Sequence, residues 1–425
     1  MLTTMLTLLT VTVGISASED VEELNAQVRR LVRQLASDEV AQRDEAESAL
    51  VELGPNALDA VQKYLPHPDA EANTRLQRVQ EILYKQAVEA ATTATMVTLD
   101  VKDKPISEVF SMIEEQTGNR IVDKRGEFGQ QAEDRNITLT VSDTPYWQAL
   151  DKALDEAELT TYNYSGERNA TAVIARPLGT MPRTDMAAYS GVFRFEPTQV
   201  EAIRDLRNPA NKVLKLFVEV TWEPRLTPIA LSQPLDSVTL TDEDGDALEI
   251  ASAGVISADV NSSVAATDLE FPIVLPSRDV KKIASLEGEI GVLVPGRSES
   301  FTFDKLGDVK EAELKKASAT VILQNVRKNN AIYEIRMVLR YDKAANALES
   351  HRGWVLNNEA YLLDKDGNRV EHAGYETTRQ TTNEVGFAYK FVVPEDIASY
   401  KFVYHTPAAV VQKQIPYVLK GIPLP

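Results

Sequence analysis

The sequence predicts a multidomain α+β protein with an N-terminal α-helical segment, a small duplicated α/β domain and two C-terminal antiparallel β-sandwich domains. Three observations predict this fold class. Apolar residues recur at helical spacing between residues 19 and 91. A strand-and-helix motif then occurs twice between residues 95 and 176. From residue 185 onwards, short segments alternate apolar and polar residues and are separated by turn signals.

The repeated motif is the clearest signal in the chain. Its two copies begin with Val97–Pro105 and Ile137–Pro145, at a constant offset of 40 residues (137 − 97 = 40). Each copy alternates apolar and polar residues like a half-buried strand, and each ends in a proline suited to the start of a helix. The apolar residues that follow recur at helical spacing: Ile106, Val109, Phe110 and Ile113 in the first copy; Tyr146, Ala149, Leu150, Ala153, Leu154 and Ala157 in the second. Two such units predict a small α/β layer pair at 95–176.

This segment resembles the secretin and TonB short N-terminal (STN) domain. The resemblance lies in the strand-Asp-x-Pro-helix phrase, in the helix end Gln116-Thr117-Gly118 before Arg120-Ile121-Val122, and in the second phrase from Asn136 to Leu159. It implies a periplasmic protein-interaction module without catalytic activity. No secretin ring or outer-membrane barrel is recognisable after it, so secretion and transport are not carried over. The alternative is a generic βαβ pair used for packing, because one fold hosts unrelated functions.

Composition bounds the remaining possibilities. A chain of 425 residues is expected to form about three or four domains. Its net charge of −19 disfavours nucleic acid and anionic lipid as partners. The absence of cysteine excludes disulfides, thiolate metal sites, a cysteine nucleophile and a lipoprotein-type anchor. We predict no cofactor, and no apolar segment after the N-terminus is long enough to span a bilayer.

Residues 1–17 are predicted to form a signal peptide. Leu2 to Ile15 is apolar, and Ile15-Ser16-Ala17 ends it with small residues suited to cleavage, although no Lys or Arg precedes the apolar part. The alternative is a core strand at the N-terminus. With a signal peptide, the mature chain would be exported and would be soluble in the periplasm or at the cell surface.

Residues 19–91 are predicted to be helical. The piece from Arg43 to Pro55 resembles a HEAT-type repeat helix and its turn. About two helix pairs fit the segment, which suggests a short helical docking surface. An ordinary helical bundle is the alternative.

The C-terminal part is predicted to contain two related β-sandwich domains, at 185–311 and 316–425, after a Pro- and Gly-containing linker at 176–184. Strand-like segments and Asp-Gly turns repeat within it at an offset that drifts from 122 residues (366 − 244) to 118 (394 − 276). Such a drift is what changes in loop length produce.

Two acidic segments in these domains look like the first half of a calcium loop, which needs several carboxylate and carbonyl oxygens. The candidate metal ligands are Asp242, Asp244, Asp246, Asp364, Asp366 and Asn368. Neither segment has the glutamate required at the twelfth loop position, where Ala253 and Tyr375 stand, and both glycines come too early. Asp-Gly between two strands is among the strongest hairpin signals, so we favour hairpins.

No catalytic motif is recognisable. The four histidines, His67, His351, His372 and His405, are scattered over the chain, and zincin, nucleophile-elbow, Walker and dinucleotide fingerprints are absent. Trp147, Trp222 and Trp354 lie in apolar patterns and are predicted to be core residues.

The sequence therefore predicts a non-enzymatic, exported cell-envelope protein that binds an unidentified envelope protein through the STN-like domain. The domain combination resembles uncharacterised exported multidomain proteins of planctomycete-type bacteria. The alternative is polysaccharide or cell-wall binding by the β-sandwiches, for which exposed aromatics aligned on one face would be the sign. A third hypothesis, a hydrolase, needs a cleft containing carboxylates of shifted acidity.

Overall fold

The computed structural model describes residues 13–425, apart from residues 168, 209–211, 261–263 and 342–352. The chain divides into two compact units, Met1–Ala90 and Ala91–Pro425. Its architecture is mixed α and β, mostly strand, with several antiparallel sheets, in agreement with the predicted α+β class. Among the described residues, no helix combines the length and hydrophobicity needed to cross a membrane.

The first unit is helical. Its helices are α1 (Val13–Leu35), α2 (Val40–Glu52), α3 (Leu58–Gln62) and α4 (Ala70–Thr92). One apolar side of each helix supplies the buried residues, which include Val28, Leu31, Leu35, Ala46, Leu50, Val61, Leu76, Val79 and Leu83. The predicted cleavage segment Ile15–Ala17 lies within α1, whereas residues 1–12 of the predicted signal peptide lie outside the described residues.

The second unit begins with the duplicated motif, which we call the small α/β unit (residues 95–176). Its elements are β1 (Met96–Pro105), α5 (Ile106–Thr117), β2 (Arg120–Asp123), β3 (Asn136–Pro145), α6 (Tyr146–Ala157), β4 (Leu159–Thr161) and β5 (Ala170–Ala175). β1 pairs antiparallel with β3, and a second sheet has the order β2-β5-β4. The apolar faces of both helices and of β1 and β3 share one core. Gly118 ends α5 in the left-handed conformation, with φ of 70°.

The two copies are related by an approximate two-fold axis between β1 and β3. Their register about this axis is symmetric: Leu99 opposes Val141, Asp100 opposes Thr140, and Val101 opposes Leu139. The equivalent residues Asp103 and Asp143 both have positive φ, at 50° and 46°. Their backbone N–H groups donate to the hydroxyl groups of Thr138 and Thr98, respectively. The structure thus contains the duplication that the sequence predicts.

The rest of the second unit is built from three sheets. The chain-order strands are β6 (Ala188–Ser190), β7 (Phe193–Arg204), β8 (Lys212–Trp222), β9 (Ala230–Pro234), β10 (Thr239–Asp242), β11 (Ala247–Leu248), β12 (Val255–Asp259), β13 (Ala266–Val274), β14 (Lys282–Phe303), β15 (Ala312–Lys316), β16 (Ala319–Asn329), β17 (Ile332–Tyr341), β18 (Glu359–Leu363), β19 (Arg369–Glu371), β20 (Gly374–Gln380), β21 (Glu384–Val392) and β22 (Lys401–Pro423). One sheet has the order β13-β8-β7-β6 and another β15-β16-β17-β21-β20. The third runs β11-β10-β14-β22-β18-β19, with β9 paired to β14 and β12 paired to β9.

The long strands β14 and β22 connect two β regions. We call residues 188–294 and 411–423 the first β region, and residues 298–407 the second. β14 and β22 pair antiparallel from Lys282–Pro423 to Phe303–Phe402. The end of β22 enters the first region, where Tyr417 stacks on Phe195 with ring centroids 4.4 Å apart. The predicted ranges 185–311 and 316–425 place these strands in separate sandwiches, whereas the structure pairs them along their length.

The two β regions repeat one topology. The pairs β8–β13, β10–β11 and β10–β14 of the first region correspond to β17–β21, β18–β19 and β18–β22 of the second. Ile283 opposes Ile422, and Phe303 opposes Phe402. Phe402 follows Ile283 by 119 residues (402 − 283), and Ile422 follows Phe303 by the same number (422 − 303). β14 and β22 are therefore equivalent strands of the repeat, and they pair with each other across a second approximate two-fold axis.

Candidate functional site

One side of the small α/β unit is fixed to the first β region by a buried ionic network. Asp151 of α6, which is fully buried, accepts hydrogen bonds from the Nε atoms of Arg183 and Arg194 and from the hydroxyl of Tyr189. Arg194, on β7, is also fully buried and pairs with Glu196. We call these residues the Asp151 network. Because it joins α6, the following connection and β6–β7, it ties the two parts together through desolvated charges.

A second buried network also joins the small α/β unit to the first β region. Glu223, directly after β8, is 0% exposed. Its carboxylate accepts hydrogen bonds from the N–H and hydroxyl of Thr95, from Asn119 Nδ2 at 2.9 Å and from Arg225 Nε at 2.7 Å. The indole N–H of Trp147 donates to the Val192 carbonyl at 3.1 Å. This side of the small α/β unit is therefore a structural joint, and it is not available to a partner.

Another part of the unit carries an exposed aromatic patch, formed by Phe128, Tyr162 and Tyr164. The ring centroids of Phe128 and Tyr162 lie 5.0 Å apart, and those of Tyr162 and Tyr164 lie 6.3 Å apart, both in edge-on geometry. Phe128 is 49% exposed and Tyr164 is 70% exposed. Such edge-on contacts are favourable for aromatic rings, so the three side chains support one another while their outer surfaces face solvent.

Local structure places these three rings together. Phe128 lies in the turn after β2, where its N–H donates to the Lys124 carbonyl at 3.2 Å. Tyr162 directly follows β4 and remains attached to β5 through a 2.9 Å hydrogen bond from its N–H to the Ala172 carbonyl. Since β5 lies between β2 and β4, the contact between Phe128 and Tyr162 joins segments that follow the two outer strands of this sheet.

Charged side chains beside β2 are balanced in pairs. Lys124 Nζ lies 2.6 Å from Glu167 and 2.7 Å from Glu127, and Arg120 lies 3.3 Å from Glu167. The hydrogen bonds that Lys124 donates to the carboxylates of Glu127 and Glu167 raise the pKa of Lys124, and the bond to Glu167 lowers the pKa of Glu167. In these pairs, two cationic side chains face two anionic ones, and their charges balance.

The predicted calcium ligands lie at two separate hairpin turns. Asp242 Oδ1 accepts from the N–H groups of Asp244 and Asp246 at 3.0 and 2.9 Å. Asp364 Oδ1 accepts from the N–H groups of Asp366 and Asn368 at 2.9 and 2.8 Å. A bond from the Asn368 side chain, followed by these backbone bonds, lowers the pKa of Asp364. Both turns are the hairpins that the Asp-Gly signals favour, β10–β11 and β18–β19.

Within the described ranges, no group of three or more Asp, Glu, His or Cys side chains could hold a metal ion. His405 Nδ1 lies 3.0 Å from Ser300 Oγ, and His372 lies among aromatic rings, 5.2 Å from that of Tyr389. His67 accepts from the N–H of Asp69. His351 lies outside the described residues.

One carboxyl group has the shifted acidity that the hydrolase hypothesis requires. Glu219 of β8 lies between Glu196 of β7 and Asp268 of β13. Burial, and next the charge of Glu196, raise the pKa of Glu219. Asn163 donates to its Oε2 at 2.9 Å, while Glu196 is paired with Arg194. These bonds connect Glu219 and Glu196 to the joint, so both carboxylates take part in structural contacts.

Trp147 and Trp222 are core residues, as predicted, with exposed fractions of 3% and 2%. Trp354 is half-buried and packs edge-on against Tyr341, with ring centroids 6.2 Å apart. Among the described residues, the exposed aromatic side chains are Phe128 and Tyr164 of the patch, which the sequence patterns did not single out, and Tyr375 of β20.

Comparison with known proteins adds little to this picture. No protein-family model and no curated protein matches the chain. A solved structure described as the conserved domain protein from Bacillus anthracis aligns at 11% identity and a TM-score of 0.18, over 56% of this chain and 89% of that chain. A similarity at this level carries no argument about fold or function.

Proposed function

We propose that this protein is a non-enzymatic, exported protein of the cell envelope that binds a protein partner through the aromatic patch of the small α/β unit. The observation that supports this most is a cluster of three aromatic side chains, of which Phe128 and Tyr164 are exposed, in a unit whose other side is buried in a joint. Aromatic residues are enriched at the centres of protein interfaces, where burying one contributes about 1.5–3 kcal/mol.

In this proposal the small α/β unit is an STN-like interaction module. It follows a signal peptide and a HEAT-like helical segment, and it is carried by two β-sandwich domains. The Asp151 and Glu223 networks support a rigid attachment of the module to the first β region, because desolvated ion pairs hold one geometry. A rigid attachment lowers the entropic cost of binding, since the patch does not have to be ordered by the partner.

Polysaccharide binding by the β regions is the second candidate. It requires a row of exposed aromatic rings on one face. In the described parts of both β regions, the large aromatic side chain that is exposed is Tyr375, at 36%, and its hydroxyl donates to the Leu356 carbonyl. A single tyrosine does not form a row of exposed rings. We therefore favour protein binding through the aromatic patch over polysaccharide binding by the β regions.

The test is affinity capture from envelope extracts with the full chain as bait. We expect a defined set of proteins to be recovered by the wild type and lost with the double variant Phe128→Ser, Tyr164→Ser. The matched control is Leu206→Ser, which removes another exposed apolar side chain, 88% exposed and distant in sequence from the patch. Equal recovery by all three baits, or loss with the control alone, would contradict the proposal.

A further inference from the structure

The two copies in the small α/β unit treat their outer strand edges differently. In the first copy, Gln116 of α5 lies beside Thr98 of β1. Its Oε1 accepts from the Thr98 N–H at 2.9 Å, and its Nε2 donates to the Thr98 carbonyl at 3.1 Å. These two bonds imitate a neighbouring strand. The primary amide of Gln116 therefore closes this edge, since an exposed edge with free N–H and C=O groups invites pairing with another chain.

The second copy lacks this closure. The residues equivalent to Thr98 and Gln116 are Thr138 of β3 and Glu156 of α6, each 40 positions later (138 − 98 and 156 − 116). Neither Thr98 nor Thr138 has a partner residue in the β1–β3 ladder. A carboxylate has no donor for the Thr138 carbonyl, and in the described part of the chain no hydrogen bond joins Glu156 to Thr138. The outer edge of β3 is accordingly open.

We propose that this open edge binds an extended, basic peptide segment of a partner protein, which adds to β3 as a third strand with a Lys or Arg beside Glu156. The charge at the edge selects this occupant. Glu156 is exposed and makes no ion pair among the described residues, whereas Glu158 is paired with Arg135 at 2.9 Å. A lysine on the added strand would donate a charge-assisted hydrogen bond to the Glu156 carboxylate and balance its charge.

The side chains of β3 suit such an addition. Thr138, Thr140 and Ser142 are exposed, uncharged residues on one face of the strand. β1 instead exposes Thr98, Asp100 and Lys102. Charges on an edge strand protect it from pairing, so the closed edge carries this protection and the open edge does not. A second copy of the chain is a poorer occupant, because each copy carries a net charge of −19.

The test is fluorescence anisotropy with the full chain and the labelled peptide Thr-Val-Lys-Val-Thr-Val-Lys. Glu156→Gln reproduces the closed first copy by one exchanged group, and it should weaken peptide binding about tenfold or more. The same peptide with both lysines replaced by glutamate should bind at least as weakly to the wild type. The control Glu115→Gln removes an exposed carboxylate from the other helix and should leave binding unchanged.

Hydrogen exchange provides a second readout that does not need the peptide. In Glu156→Gln, exchange of the Thr138 amide should slow, because the introduced side-chain amide closes the edge and its oxygen accepts from the Thr138 N–H. Unchanged peptide binding by Glu156→Gln, or equal binding of the lysine and glutamate peptides, would overturn the proposal. So would a concentration-dependent dimer lost in Glu156→Gln, which would assign the edge to a second copy. This proposal is independent of the aromatic patch: Tyr164→Ser should leave peptide binding unchanged.

Discussion

Replacing Asp151 with asparagine should loosen the attachment of the small α/β unit to the first β region. The carboxylate of Asp151 is the shared acceptor of two guanidinium groups and one phenol, and it is fully buried. Asparagine has nearly the same shape, but it carries no charge and presents an N–H2 group to one of its donors. Arg183 and Arg194 are 5% and 0% exposed, so neither can gain water in exchange without local opening.

The expected cost follows from this burial. Removing one partner of a buried ion pair typically costs about 3–5 kcal/mol, because the remaining charge stays desolvated. Glu196 still pairs with Arg194 at 2.5 Å, which softens the loss on that side. Among the described residues, Arg183 has no second carboxylate in an ion pair, and its Nη2 already lacks a hydrogen-bond partner. We therefore expect Asp151→Asn to lower the free energy of unfolding by about 3 kcal/mol or more.

The assay is urea unfolding followed by tryptophan fluorescence. Trp147 reports on the joint directly, since its indole N–H donates to the Val192 carbonyl. Glu115→Gln, which removes an exposed carboxylate from α5, is the control and should shift the midpoint little. A loss below about 1 kcal/mol for Asp151→Asn would refute the argument, because it would mean that the network contributes no more than a surface ion pair.

Two further predictions concern the β regions. Burial, and next the Glu196 charge, raise the pKa of Glu219 above its usual 4.5, so the folded protein binds this proton more tightly than the unfolded chain does. The stability that this group contributes is thus present at low pH and is lost as pH rises through the folded pKa. Glu219→Gln should therefore raise the free energy of unfolding at pH 8 by up to about 1 kcal/mol. An equal effect of Glu219→Gln at pH 4 and pH 8 in thermal unfolding would disprove the linkage. Gly288→Ala should destabilise the protein by about 1–3 kcal/mol, because the added Cβ would lie within 3.0 Å of the buried Tyr417 ring. Gly126→Ala is the control, since a Cβ at position 126 meets open space. Similar melting temperatures for the two variants would contradict this packing argument.

Local patterns explain which parts of the fold were predictable. The β1 and β3 strands, their helices and the Asp-Gly hairpins depend on neighbours within about ten residues, and such signals can be read along the chain. The shared strands could not be predicted in this way. Tyr417 stacks on Phe195, more than two hundred residues away (417 − 195 = 222), and alternation in β22 does not reveal which sheet each half joins.

Distance along the sequence also explains which residues of the candidate site could be predicted and which could not. Asp151 stands next to Leu150 in an apolar helical pattern, but its partners Arg183 and Arg194 lie 32 and 43 positions later. Phe128 and Tyr162 are 34 positions apart (162 − 128), so their contact depends on β5 joining β2 and β4. One local signal was available: Tyr162 and Tyr164 alternate in a polar stretch, where large aromatic side chains lack an apolar face to pack on.

The central claim is that the aromatic patch binds a protein partner, and site-specific photo-cross-linking in living cells tests it most directly. A photoreactive phenylalanine analogue is placed at position 164 in one variant and, as a control, at position 206, where the exposed Leu206 lies in the first β region. We predict a discrete cross-linked product from position 164 that contains one other envelope protein and is absent from position 206. No product at position 164, or the same products at both positions, would contradict the account.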